Sequence, residues 1–380
     1  MILEEKDTGL PHTWVATTDE LVDCCNQLSK SDVIAIDTEF MRTDTFYPIA
    51  ALIQIADDKQ CYLIDPTTIH ECVALVDLLT NPKTVKLIHA CSEDLEVFKC
   101  ALGCVPSPII DTQIAAALAG YGASLGYANL VNQVLGIELE KGETRSDWLQ
   151  RPLTERQIHY AIQDVEYLLT VWRKLASELE AKGRMGWLEE DCKKIEQLAS
   201  QPDDIDGYYK RIKSAWKLST SQLNVLSVLS AWREKAAREE NIPRNHLVHE
   251  RALYDVAKIQ PSTPAALKQI QGLGQSKVRK YGDAILACIE KASHISEEDR
   301  PSPLPSPLPV SARDKIKVFK QLIAGKAEAL GVQPELLMRK VDYEALVRSG
   351  MQGGEYTLPN SLSSWRKALF GDDILTIAKQ

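Results

Sequence analysis

Val33-Ile34-Ala35-Ile36-Asp37-Thr38-Glu39 sets two carboxylates at the end of a wholly apolar run. Four consecutive aliphatic residues read as a central strand, buried on both faces of a sheet flanked by helices. Asp37 and Glu39 lie two apart, so they project from the same face of that strand. Two buried acids side by side are costly unless they are protonated or share a cation. Hard oxygen donors on a rigid element suit magnesium or manganese. A strand that ended in water would place the same pair at a sheet edge, so the pair alone does not decide the chemistry.

Outward from this strand, Ala51 to Ala56 and Cys61 to Ile64 flank Asp57-Asp58-Lys59-Gln60, the pattern of a hairpin with a polar turn. Asn81-Pro82 closes a helix, Thr84 to His89 predicts another strand, Ser92 to Leu102 has helical periodicity, and Ile109-Ile110 adds a short strand. Beyond Asp111 the pattern is helical. Thr154-Glu155-Arg156-Gln157 fits a capping box and opens an amphipathic run that predicts one long helix to about Leu179.

Tyr160 and Asp164 are four apart on that helix and share a face, with Asp164 among Ala161 and Leu168, so an acid faces inward. Asp94 opens the helix after His89-Ala90, where an acid also suits the helix dipole, as Glu93 does. Taken singly, Tyr160 reads as core packing and Asp94 as a dipole partner.

The chain has 380 residues, enough for two or three domains, and its 44% hydrophobic and 26% charged content is that of a globular protein. Met1 to Asp7 carries acids where a secretory leader needs bases, and no apolar run reaches membrane-span length. A soluble, cytoplasmic protein is expected. Nine scattered cysteines without a zinc-type spacing fit reduced thiols. The net charge of −9 is unevenly spread: residues 1–209 carry −18, residues 210–292 carry +8 and residues 293–380 carry +1. A basic middle segment suggests a phosphate grip, beside an acidic first domain that would repel nucleic acid without intervening cations.

In order and context, Asp37-Thr38-Glu39, His89-x4-Asp94 and Tyr160-x3-Asp164 resemble the three exonuclease motifs of the DEDD superfamily in its tyrosine branch. Asp147 to Thr154, Glu39 to Arg42, Tyr47-Pro48 and Leu52-Ile53-Gln54 resemble the surroundings of those motifs in the ribonuclease D family, over residues 12 to 180. The resemblance implies a ribonuclease H-like mixed sheet flanked by helices and 3′→5′ exonuclease activity. It also implies two divalent ions (Mg²⁺ or Mn²⁺) held by Asp37, Glu39, Asp94 and Asp164, with Tyr160 orienting the attacking water. All five positions are intact.

Residues 214–291 resemble an HRDC domain through Leu223-x2-Leu226-x5-Trp232-Arg233, Ile242-Pro243-Arg244 and Ile270-Gln271-Gly272-Leu273-Gly274. Lys277, Arg279 and Lys280 then mark a nucleic-acid contact at a helix start. Arg300 to Pro309 is proline-rich and reads as a semi-rigid linker. The organisation expected is an exonuclease domain over 1–205, a first HRDC domain over 206–292, a linker over 293–311 and a second HRDC-like helical bundle over 312–380. The last would help shape a channel for a single-stranded 3′ end. The implied function is trimming of the 3′ ends of tRNA precursors and other small structured RNAs, by a monomer, with release of nucleoside 5′-monophosphates. A 3′→5′ DNA exonuclease and a non-catalytic RNA-binding protein are the alternatives.

Overall fold

The computed structural model describes residues 10–139, 142–143, 146–351 and 354–379; the acidic start at Met1 to Asp7 lies outside them. Six strands form one mixed sheet: β1 (His12–Val15), β2 (Val33–Met41), β3 (Ile49–Ala56), β4 (Cys61–Ile64), β5 (Val85–Ile88) and β6 (Ile109–Asp111), in the order β1-β4-β3-β2-β5-β6. The β2–β3 and β3–β4 pairs are antiparallel, and β1–β4, β2–β5 and β5–β6 are parallel. The polar turn Asp57–Gln60 joins β3 to β4 as its sequence predicts, with Asp57 Oδ1 accepting from the amides of Lys59 and Gln60 at 2.9 Å. β1 escapes sequence reading because only Val15 of its four residues is buried, so no apolar alternation marks it.

Helices α1 (Thr18–Leu28), α2 (Val73–Thr80), α3 (Ser92–Leu102), α4 (Thr112–Ala119) and α5 (Tyr127–Leu135) alternate with or follow the strands. Then come α6 (Glu155–Glu166), α7 (Leu168–Ala181) and α8 (Met185–Ser200). The capping box at Thr154 forms: its hydroxyl accepts from the Gln157 amide, and the Gln157 side chain accepts from the Thr154 amide.

The single helix expected from Thr154 to about Leu179 is instead two, meeting at Tyr167. The cause is a side chain inserted into the backbone ladder. The hydroxyl of Tyr127 donates to the Gln163 carbonyl at 2.9 Å, which in an unbroken helix would accept from Tyr167. The Tyr167 amide turns to Val165 instead.

By packing, the described chain forms two compact units: residues 1–41, 49–201 and 308–380, and residues 42–48 with 202–307. The last helices, α14 (Ala312–Leu330), α15 (Pro334–Leu337), α16 (Lys340–Gly350) and α17 (Ser364–Ala378) as numbered along the whole chain, therefore share a unit with the sheet rather than standing apart. Trp365 stacks on Trp187 of α8 with ring centroids 4.4 Å apart and planes 4° from parallel. Arg366 Nη1 pairs with the nearly buried Asp191 at 2.7 Å. Arg184 reaches both the Leu118 and Leu330 carbonyls at 2.6 Å. These contacts make one continuous apolar core from β2 to Phe370.

The second unit is all-helical. α9 (Thr220–Glu239), opened by a capping box at Ser219, packs against α11 (Glu250–Ile259) and α13 (Gln275–Ser293), with short turns α10 (Arg244–Leu247) and α12 (Pro264–Leu267) between. Buried Glu234 bridges Arg238 and Arg244. Those two guanidiniums lie over the Phe46 ring at 4.8 and 4.5 Å. No described helix is long and apolar enough to cross a membrane.

Candidate active site

The site forms where α6 crosses β2, β3 and β4. Asp37 and Glu39 leave β2 on one face, and α6 brings Asp164 to them. One carboxylate oxygen from each of the three lies within 4.8 Å of the others. This is the only such group of metal-ligating side chains among the described residues. Thr38, between the two β2 acids, projects to the opposite face. Its hydroxyl donates to Asp94 Oδ1 at 2.5 Å, so Asp94, in the first turn of α3, is tied directly to the strand that carries the pair.

Burial is the leading cause of a raised pKa at all four acids; repulsion from other members of the group adds to it at Asp37, Glu39 and Asp164, and repulsion from Asp111 adds to it at Asp94. Asp37 is held well above the ordinary carboxylate value, Glu39 is pushed up to about 9, Asp164 to about 8 and Asp94 to about 6. At Asp94 the Thr38 hydroxyl opposes the rise, and at Asp164 the Tyr160 hydroxyl does so by donating to its carboxylate. The Tyr160 phenol is itself pushed up by burial and by Asp164, Glu39 and Asp37, and stays protonated at neutral pH. Trp148 packs 6.0 Å from the Tyr160 ring, ring centre to ring centre.

None of the four acids forms an ion pair among the described residues. Four carboxylates, Asp94 buried and the other three half-buried, without a counter-charge among the described residues fit a divalent cation better than any side chain present.

Supporting residues surround them. Gln54 stands opposite Asp37 in the antiparallel register, on the same face, and is fully buried with neither amide atom hydrogen-bonded. Sequence reading gives Gln54 no role, because a lone glutamine in an apolar strand carries no chemical signal. Arg151 grips Asp65 through Nε and Nη2 at 2.6 and 2.7 Å and also bonds the Ala51 carbonyl, clamping the approach to α6 onto the sheet. His89 bridges Thr112 and the Leu125 carbonyl, both at 2.9 Å, so both of its ring nitrogens are engaged away from the four acids.

Lys277, Arg279 and Lys280 lie in the first turns of α13, after Gly272, whose φ of +90° suits a residue without a side chain. Lys280 Nζ pairs with Glu240 at 2.7 Å. Lys277 and Arg279 make no ion pair among the described residues.

A 3′-5′ exonuclease family model matches residues 12–180, and an HRDC domain model matches residues 222–289. The chain is 41% identical to ribonuclease D of Pseudomonas paraeruginosa, over 95% of this chain and 96% of that one. The chain belongs to the ribonuclease D family. Ribonuclease D of Escherichia coli is 36% identical over 96% of this chain and 98% of its own. The crystal structure of E. coli RNase D, described as an exoribonuclease involved in structured RNA processing, superposes with a TM-score of 0.90 at 35% identity, covering 97% of this chain and 99% of that one. The family fixes the reaction class: the protein is a hydrolytic 3′→5′ exoribonuclease, with an acidic cluster suited to divalent metal.

Proposed function

We propose that this exoribonuclease trims the 3′ ends of tRNA precursors and other small structured RNAs, one nucleoside 5′-monophosphate at a time, as a cytoplasmic monomer. In this reading Asp37, Glu39, Asp94 and Asp164 hold two divalent ions, Mg²⁺ or Mn²⁺, and Tyr160 acts beside them. The observation that carries it is the convergence of the Asp37, Glu39 and Asp164 oxygens within 4.8 Å, with Asp94 tied in through Thr38.

When bound, the ions would supply Lewis acidity and offset the charge that develops on the phosphate and on the leaving 3′ oxygen. The protein's own groups do the positioning. Asp37 and Glu39, fixed by the ladder of β2, set one wall of the site, and Asp164 on α6 sets the other. Tyr160, protonated and hydrogen-bonded to Asp164, would orient the attacking water. Lys277, Arg279 and Lys280 would contact the RNA backbone, with Lys280 first releasing Glu240.

The test is incubation of a 3′-extended tRNA and a matched DNA oligonucleotide with Mg²⁺, with Mn²⁺ and with chelator, for the wild type and Asp37→Ala. Stepwise 3′ shortening of the RNA that chelator and the substitution both abolish is the expected result. Equal or faster loss of the DNA would replace the RNA reading by a DNA exonuclease, and absence of metal-dependent trimming would remove the catalytic one.

A further inference from the structure

The most concentrated unpaired positive charge in the helical unit lies outside the HRDC match. Tyr208-Tyr209-Lys210-Arg211-Ile212-Lys213-Ser214-Ala215-Trp216-Lys217-Leu218 is held to the core at every third residue. Tyr209, Ile212, Ala215 and Leu218 are each no more than 8% exposed and belong to the core of that unit. Two 3₁₀ turns, Tyr208–Arg211 and Ala215–Lys217, supply the three-residue repeat that such anchoring needs. The intervening side chains are thereby turned outward: Lys210, Arg211, Lys213 and Lys217 are exposed, and Trp216 remains 38% exposed.

Three further observations separate this strip from an ordinary solvated face. No acid occurs from Gly207 to Arg233, so the strip carries no counter-charge within itself, and the acids that precede it in sequence, Asp203, Asp204 and Asp206, pair with none of its bases among the described residues. None of its four bases forms an ion pair among the described residues, whereas Arg238, Arg244, Arg251 and Lys280 of the same unit are all paired. Glu250 accepts from the Lys213 backbone amide at 2.9 Å and not from the Lys213 ammonium. The cations are also preordered on rings: Arg211 lies over Tyr208 at 4.7 Å and Lys217 over Trp216 at 5.3 Å.

We propose that Tyr208–Lys217 is an RNA-binding strip that takes the phosphate backbone on Lys210, Arg211, Lys213 and Lys217 and stacks one base on Trp216. The inference rests on the exoribonuclease reading and adds a substrate contact distinct from Lys277, Arg279 and Lys280. Cations interleaved with an exposed indole match a single-stranded polyanion whose bases present flat faces; the charges supply salt-dependent affinity and the ring a salt-independent part.

The test uses the full-length protein in chelator, so that RNA is bound and not cut, with a fluorescent 3′-extended RNA followed by anisotropy across a salt series. The variants are the combined Lys210→Ser, Arg211→Ser, Lys213→Ser and Lys217→Ser protein, and separately Trp216→Ala. Because these side chains point outward, unchanged thermal midpoints serve as the folding control. The fourfold variant should bind at least 10-fold more weakly at low salt, with the slope of log affinity against log salt reduced by about 3. Trp216→Ala should lose roughly 10-fold at an unchanged slope. Wild-type affinity and slope in the fourfold variant would overturn the strip. So would an equal loss of affinity and slope from Lys258→Ser with Lys268→Ser, exposed lysines elsewhere in the unit. A wild type that trims RNA in magnesium while the variants bind normally defeats this inference alone. A wild type that neither binds nor trims RNA defeats the exoribonuclease reading beneath it.

Discussion

The Thr38 hydroxyl donates to Asp94 at 2.5 Å, from the one residue that separates Asp37 from Glu39. A strand thus uses both faces for one site: the acids on one side, and on the other the hydroxyl that fixes the acid of α3. Thr38→Val keeps the shape and removes the donor, so Asp94 loses its tether while β2 is unaffected. Mn²⁺ affinity, read by calorimetry on the whole protein, should fall about 10-fold or more with little change in thermal midpoint. Unaltered affinity would show that Asp94 is positioned by its helix alone.

The four acids also make the metal-free protein sensitive to alkali. Their folded pKa values are raised, so the favourable protonated state is fully present below the ordinary carboxylate values near 4 and is lost as pH rises through about 6 at Asp94, about 8 at Asp164 and about 9 at Glu39. In chelator the thermal midpoint should therefore drop between pH 5 and 9. Asp164→Asn should flatten that drop, and saturating Mg²⁺ should restore more stability at the alkaline end than at the acid end. A drop of the same size in Asp164→Asn would assign the pH dependence to other groups.

Tyr160→Phe retains the ring that packs near Trp148 and deletes the hydroxyl on Asp164. If the hydroxyl orients water, kcat should fall on the order of 100-fold with KM for RNA within a few-fold of the wild type. A proportional rise in KM with kcat intact would make Tyr160 a binding residue instead.

Trp187→Ala removes the stacking partner of Trp365 and part of the surface on which the last helices rest. A half-buried indole of this kind is worth about 2 kcal/mol. Denaturant unfolding of unit 1 should shift by that amount, and a shift below about 0.5 kcal/mol would mean that the stack is incidental.

The parts of the site that were legible in sequence are those whose signal is local. The apolar run into Asp37 and Glu39, the i, i+4 spacing of Tyr160 and Asp164 and the capping box at Thr154 all follow from periodicity and end chemistry. What was not legible depends on partners distant in sequence. The break at Tyr167 is made by a hydroxyl from residue 127, the Thr38–Asp94 bond spans two elements, and Gln54 matters only through its register with Asp37. The face of α8 that carries Trp187 and Asp191 is amphipathic in the ordinary way, and nothing in its letters tells that it will be covered by residues near 365.

That cover has a consequence for how the protein is made. All four acids and Tyr160 have been translated by residue 164, yet the surface of α8 waits for Trp365 and Arg366. At ordinary rates of peptide synthesis roughly 170 more residues take on the order of ten seconds to emerge after α8 does. During that interval a nascent chain already carries the four acids and Tyr160 on an incompletely covered scaffold, beside a messenger and the transfer RNAs of its own ribosome. Adding this covering layer so long after α8 delays a fully stable nuclease until residues near 365 have emerged.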